Sequence, residues 1–138
     1  MNMKIKLDKG AIMPTRAHEH DAGLDLYAME DRKVLTHSWE LVSTGVHIQL
    51  PPGTVGLLRG RSSMTASGII SGEGTIDEGF TGGIKAALYN HSYFDFPVRR
   101  GDRIAQLVIV PCIKPTLELV DTLEDTPRGD GGFGSTGK

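Results

Sequence analysis

A chain of 138 residues with a formal net charge of −2 has room for one domain whose core needs no staples, and it lacks the broad basic footprint of a nucleic-acid binder. A single cysteine, Cys112, excludes an internal disulfide framework. No apolar run in the sequence reaches the length of a secretory leader or a membrane span, so a reducing compartment is expected, with no membrane and no nucleic-acid partner.

The 18 glycines and 7 prolines punctuate short runs of Val, Ile and Leu, the pattern of many brief strands joined by turns. No stretch keeps a helical period, and the fold class read from this is all-β. In chain order, strands are predicted over 4–7, 23–28, 40–42 and 46–49, after which Pro51-Pro52-Gly53 turns the chain into a strand over 55–58. His18-Glu19-His20 lacks the further clustered ligands of a transition-metal site and reads as a solvated loop. A helix of barely two turns is predicted over 63–67, with Ser62 or Ser63 capping its start and Gly68 closing its end. Arg61 sets a cationic fork beside free helix N–H groups, so this segment reads either as a phosphate cradle or as an ordinary capped turn. Strands over 84–89 and 104–110 follow, separated by a turn at Arg100-Gly101-Asp102. In the last of them Ile104, Leu107 and Ile109 do not alternate cleanly, which predicts cover on both faces and a specific partner for Gln106.

The final stretch, Arg128-Gly-Asp-Gly-Gly-Phe-Gly-Ser-Thr-Gly-Lys138, holds five glycines, one aromatic and two hydroxyls, a composition that cannot build a core. Gly-rich chain ends are commonly mobile. Here, however, Arg128 can fork onto a phosphate, Ser135 and Thr136 can donate hydroxyls, Gly134 lets the backbone come close, and Phe133 offers a flat face for stacking. Phosphate plus a ring points to a nucleotide. The spacing from Gly132 to Lys138 fits GxxxxGK, but a P-loop needs a strand before it and a Ser or Thr after the lysine; a P-loop is therefore not expected.

Five blocks along the chain, Ala22-Gly-Leu-Asp-Leu-Tyr27, Gly60-Arg-Ser-Ser-Met64, Gly74-Thr-Ile-Asp-Glu-Gly-Phe80, Gly101-Asp-Arg-Ile-Ala-Gln106 and the tail from Arg128 to Gly137, resemble in order the motifs of the trimeric dUTP pyrophosphatase (dUTPase) family. The resemblance implies a jelly-roll-like distorted β-barrel (the dUTPase β-clip) with one short helix, formed by residues 1–120, and a flexible arm over 121–138. It implies hydrolysis of dUTP to dUMP and pyrophosphate, keeping uracil out of DNA and supplying dUMP for dTMP synthesis. Asp77 would hold and deprotonate the water that attacks the α-phosphorus; judged on composition alone it is equally a turn aspartate. Arg61, Ser62, Ser63 and Gln106 would face the phosphates, and the backbone hairpin Ile69-Ile-Ser-Gly-Glu-Gly74 would read uracil, with Gly72 the named contact. Thr75, Ile76 and Lys85 would lie on the substrate side, and Arg128, Phe133, Gly134, Ser135 and Thr136 would close over the nucleotide. Phe80 stands where the family usually carries tyrosine; a phenyl ring still blocks a 2′-hydroxyl.

The resemblance further implies Mg²⁺ carried by the triphosphate, with Asp25 in contact through water. It also implies a homotrimer in which the second and fourth blocks come from one chain, the third from another and the arm from the remaining one. The cytoplasm is expected, or the host cytoplasm if a virus encodes the chain, and nothing in the sequence indicates a regulatory protein partner. A dCTP deaminase shares the fold and a similar Ile-Asp-x-Gly-aromatic block, but its catalytic glutamate three residues before an asparagine is replaced by Ala87 ahead of Asn90, so its acid and base are missing. A nucleotide-binding regulatory protein on the same fold is the alternative from a different class.

Overall fold

Strands and one short helix account for the regular structure of the computed structural model, which describes residues 1–137; Lys138 lies outside the described residues. The order is β1 (Lys4–Leu7), β2 (Gly23–Tyr27), β3 (Arg32–Val34), β4 (Trp39–Ser43), β5 (Val46–Gln49), β6 (Thr54–Arg59), α1 (Ser62–Ala66), β7 (Ile69–Ser71), β8 (Gly74–Ile76), β9 (Lys85–Asn90), β10 (Phe96–Val98) and β11 (Arg103–Pro111). The all-β expectation holds, and each of the seven predicted strands is present to within a residue or so at either end. β3, β7, β8 and β10 are additional, each of three residues, too short for a period of two to show in sequence.

Hydrogen bonding joins the strands into a four-stranded sheet of order β2-β11-β6-β8, a three-stranded sheet of order β4-β9-β7, and the pairs β1-β5 and β10-β3. Among the described residues these ladders do not close into a ring, so the barrel expected from the resemblance is here an open arrangement of packed sheets. The two larger sheets bury one face each in a common cluster, Leu26, Leu58, Ile76 and Leu107 from the first and Val42, Ile69, Ala86 and Leu88 from the second. Each large side chain buried there contributes about 1.5–3 kcal/mol. A buried Asn90 is fully satisfied: its amide donates to the Val34 and Phe94 carbonyls and accepts from the Ser92 N–H and hydroxyl, fixing the loop after β9 to the end of β3.

β11 is the spine of the larger sheet, pairing with β2 on one side and β6 on the other. A register shift between Arg103 and Ala105 leaves Ile104 without a partner on β2, and Ile104 and Ala105 are both buried. That β-bulge breaks the alternation that the sequence fails to show.

The helix starts one residue earlier than predicted. Arg61 is its N-cap and makes no side-chain capping bond, so Ser62 and Ser63 occupy the first turn and the cap expected from either does not form. β6 ends at Arg59, two residues before that N-cap. Gly68 closes the helix as expected, at φ +80°, where a side chain is strained. The body's backbone bonding reaches Cys112, whose N–H donates to the Gly53 carbonyl at 2.9 Å. Residues 113–137 form no strand or helix among those described, and Ile113, Leu117, Leu119 and Leu123 are 86–100% exposed.

Candidate active site

At the C-terminal end of β6 the sheet gathers charge. Gln106 on β11 lies in register with Asp25 on β2 and Arg59 on β6, and its amide donates to the Gly60 carbonyl at 3.0 Å. That is the specific partner expected for it. Gly23 is required beside it: a β-carbon built there would stand 2.2 Å from Gln106 Oε1. Asp25, with only 16% of its side chain exposed, receives Arg103 at 3.3 Å and Arg61 at 3.7 Å, and Arg61 also donates to the Arg103 carbonyl at 3.2 Å. Two guanidinium groups around one carboxylate leave a net positive charge, suited to an anion. Ser62 and Ser63 are exposed beside this cluster, and Ser62 shares a groove with Gln106, Thr65 and Ser71.

Among the described residues no three His, Cys, Asp or Glu side chains converge as a metal cage. Asp25, already engaged by two arginines, is suited to meeting a metal ion through its water shell rather than as a direct ligand.

The expected uracil hairpin is not a paired hairpin. β7 bonds to β9 and β8 bonds to β6, because the chain crosses between the two large sheets at Gly72-Glu73. The Gly72 N–H donates to the Ala87 carbonyl at 2.8 Å, which leaves the Gly72 carbonyl as its group for a base.

β8 ends at Ile76 and delivers Asp77 into a cleft of about 220 Å³ lined by Leu58, Thr75, Phe80, Ile84 and Lys85 among others. Thr75, Asp77, Phe80 and Lys85 are exposed there, whereas the Ile76 side chain is buried, so Ile76 can meet a ligand through its backbone. The turn after Asp77 is closed by the Phe80 N–H on the Asp77 carbonyl at 2.9 Å. Glu78 anchors it, accepting from the Lys114 ammonium and from the Gly53 N–H at 3.2 Å. The Lys114 ammonium first, and then the Gly53 N–H, hold the Glu78 carboxyl below its ordinary range; the same contact raises Lys114. The Phe80 ring, 44% exposed, lies against Gly82, where a β-carbon would come within 2.6 Å of it. Glu78 lies within the third block and Gly82 just beyond it, and both were within reach of sequence reasoning; Lys114 arrives from a distant segment and was not.

These two groups do not meet within one chain. β6 runs antiparallel to β8 with Gly56 opposite Ile76, so Asp77 lies level with Val55, while Gln106 is level with Arg59. Four residues of strand separate them by about 13 Å, far beyond the ~3 Å reach needed for two groups to act on one phosphorus. The arm joins neither. Among the described residues its hydrogen bonds from Thr126 onward are internal, including Arg128 Nε to the Gly131 carbonyl at 2.9 Å. Phe133, at φ +46°, is fully exposed, and Arg128, Gly134, Ser135 and Thr136 are exposed with it.

The family model for dUTPase matches residues 9–137. A deoxyuridine 5'-triphosphate nucleotidohydrolase of Gloeothece citriformis is 46% identical over 141 aligned residues, covering 99% of this chain and 97% of the relative. The solved dUTPase of Staphylococcus bacteriophage 80alpha with dUpNHpp superposes with a TM-score of 0.94 at 30% identity, over 99% of each chain. A phage phi11 dUTPase, an asparagine variant described as coordinating a structural Mg(II) ion, gives a TM-score of 0.86 at 27% identity, over 91% of this chain and all of that one.

Proposed function

The chain belongs to the dUTPase family and is a dUTP diphosphatase, and from that premise we propose that it converts dUTP to dUMP and pyrophosphate by water attack on the α-phosphorus, with Asp77 as the base. The observation that carries this reading is the placement of Asp77, Thr75, Phe80 and Lys85 around one cleft in a chain matched to the family over residues 9–137. An exposed carboxylate on a turn fixed at both ends can hold a water in line with a leaving group. Uracil is read by backbone groups of residues 69–74, with Gly72 offering its carbonyl, Thr75 and Ile76 lie on the substrate side, and the Phe80 ring excludes a 2′-hydroxyl.

Arg61, Ser62, Ser63 and Gln106 bind and orient the phosphates. Asp25 would hold Mg²⁺ carried by the triphosphate through water, and the ion would supply charge neutralisation for the leaving pyrophosphate. The distance between Asp77 and the Arg61–Gln106 cluster along β6 supports a homotrimer whose sites each draw on neighbouring chains. The arm, taken as residues 121–138 beyond a catalytic body of 1–120, closes over a neighbour's nucleotide through Arg128, Phe133, Gly134, Ser135 and Thr136, excluding bulk water. The exposed Ile113, Leu117, Leu119 and Leu123 support docking of the intervening segment on another subunit. No helix among the described residues is long and apolar enough to cross a membrane, and action in the cytoplasm, removing dUTP and supplying dUMP for dTMP synthesis, completes the reading.

The test is to incubate the protein with dUTP, dCTP, dTTP or UTP plus Mg²⁺ and follow pyrophosphate and ammonia separately. Pyrophosphate from dUTP alone is the expected result. Ammonia from dCTP, or binding without turnover, overturns it.

A further inference from the structure

The loop that carries Phe80 from the Asp77 turn to β9 is held at its two ends and at one point between. At one end the Phe80 N–H closes the turn on Asp77; at the other, Ile84 donates to the Val46 carbonyl at 2.8 Å and its own carbonyl accepts the Thr44 N–H and hydroxyl. Thr81, Gly82 and Gly83 have no side chain of a size to pack into the body. Among the described residues the one hydrogen bond that reaches this middle segment comes from His47 on β5, whose Nδ1 lies 2.9 Å from the Thr81 carbonyl. The other ring nitrogen, Nε2, lies 3.0 Å from the Asp8 carboxylate just beyond β1, and the ring edge is 3.6 Å from where a Gly83 β-carbon would stand. Thr81 is followed by Gly82, the residue on which the Phe80 ring is seated.

We propose that His47, braced by Asp8, is a positioning residue that sets the height of the Phe80 ring through Thr81 and Gly82 and thereby tunes discrimination between deoxyribo- and ribonucleotides; this rests on the dUTPase reading above. With both ring nitrogens protonated, the imidazolium donates to Thr81 and to Asp8 at once. A neutral ring has one N–H and must release one of them. The Thr81 carbonyl, and then Asp8, raise the His47 titration above the ordinary histidine value, against smaller opposing effects of desolvation and, last, of Lys6. The charged groups facing the ring are Asp8, and Lys6 and Lys4 from β1; the loop presents none. Selectivity should therefore be greatest below the ordinary histidine pKa and decline as pH rises through the raised one.

The test compares wild type, His47→Ala and His47→Asn, whose amide can still donate to Thr81. The dUTP-to-UTP ratio of kcat/KM is measured from pH 6 to 9, and amide exchange is followed at Gly82 and Gly83. His47→Ala should lower the ratio about three- to tenfold, the effect of one lost hydrogen bond. The loss should appear in KM more than in kcat. The pH trend should vanish, and exchange at Gly82 and Gly83 should speed up while β9 stays protected. His47→Asn should restore most of the ratio without its pH dependence. Unchanged exchange in His47→Ala overturns the latch, and faster exchange with an unchanged ratio overturns its role in selectivity. Absence of dUTP turnover by the wild type would instead defeat the reading on which the proposal rests, while the exchange data would still decide the latch.

Discussion

Replacing Gly23 by alanine asks whether Gln106 is held where the phosphates need it. A β-carbon on Gly23 would sit 2.2 Å from Gln106 Oε1 and 3.1 Å from its Cδ, so the amide must swing away and lose its bond to the Gly60 carbonyl. Losing that bond costs about 1 kcal/mol. Exchanging glycine for alanine inside a strand returns roughly 0.5–1 kcal/mol by restricting the unfolded chain. The two terms nearly cancel, and the melting temperature should move by no more than about 3 °C for a chain of this size. Turnover has no such compensation: a displaced phosphate donor should lower kcat/KM on dUTP by roughly 10- to 100-fold, at or below the loss typical of one oxyanion-hole donor. In a Gln106→Ala background the remaining neighbour is the Gln106 β-carbon at 3.3 Å, so adding Gly23→Ala should change activity little, and the double variant should match either single one. Losses that multiply, or full activity in Gly23→Ala, would refute the placement of Gln106.

Truncation before Arg128 removes a segment whose hydrogen bonds, among the described residues, are internal to the arm, so the thermal midpoint should stay within about 2 °C while dUTP hydrolysis falls more than about tenfold; unaltered turnover would dismiss the arm from the site. Lys114→Met removes the ammonium that lowers Glu78. A depressed carboxyl stabilises the fold above its unfolded pKa and loses that effect as pH falls through the folded value. The melting-temperature advantage of wild type should therefore be present at pH 6 to 8 and shrink as pH falls below the ordinary glutamate range, and an advantage that stays constant on acidification would contradict the assignment.

The long strands and the charge-bearing blocks were legible because local chemistry specifies them. Residues 46–49 and 84–89 read as strands, and Gly68 read as a helix end, from features contained within a few positions. What the sequence could not show depends on contacts between distant segments. The burial of both Ile104 and Ala105 follows from a bulge set by β2. The separation of β7 from β8 follows from their pairing with β9 and β6. Pro97 would argue against a strand in a sheet interior, yet β10 pairs with β3 alone, which leaves an open edge to accept it. Asp77 and Phe80 were named from their block, whereas the residues that hold their loop, His47, Gly53 and Lys114, come from elsewhere in the chain and carry no local signature.

A site assembled from two chains is tested most directly by mixing two inactive variants. Asp77→Asn lacks the base and Arg61→Ala lacks the phosphate fork, and each alone should be almost without activity on dUTP. After the two are unfolded together and refolded as mixed trimers, about a quarter of the sites should combine an intact Asp77 from one subunit with an intact Arg61 from another, and pyrophosphate release should return to about that fraction of wild type. A mixture as inactive as its components, although hetero-trimers form, would show that both groups serve the same site from one chain.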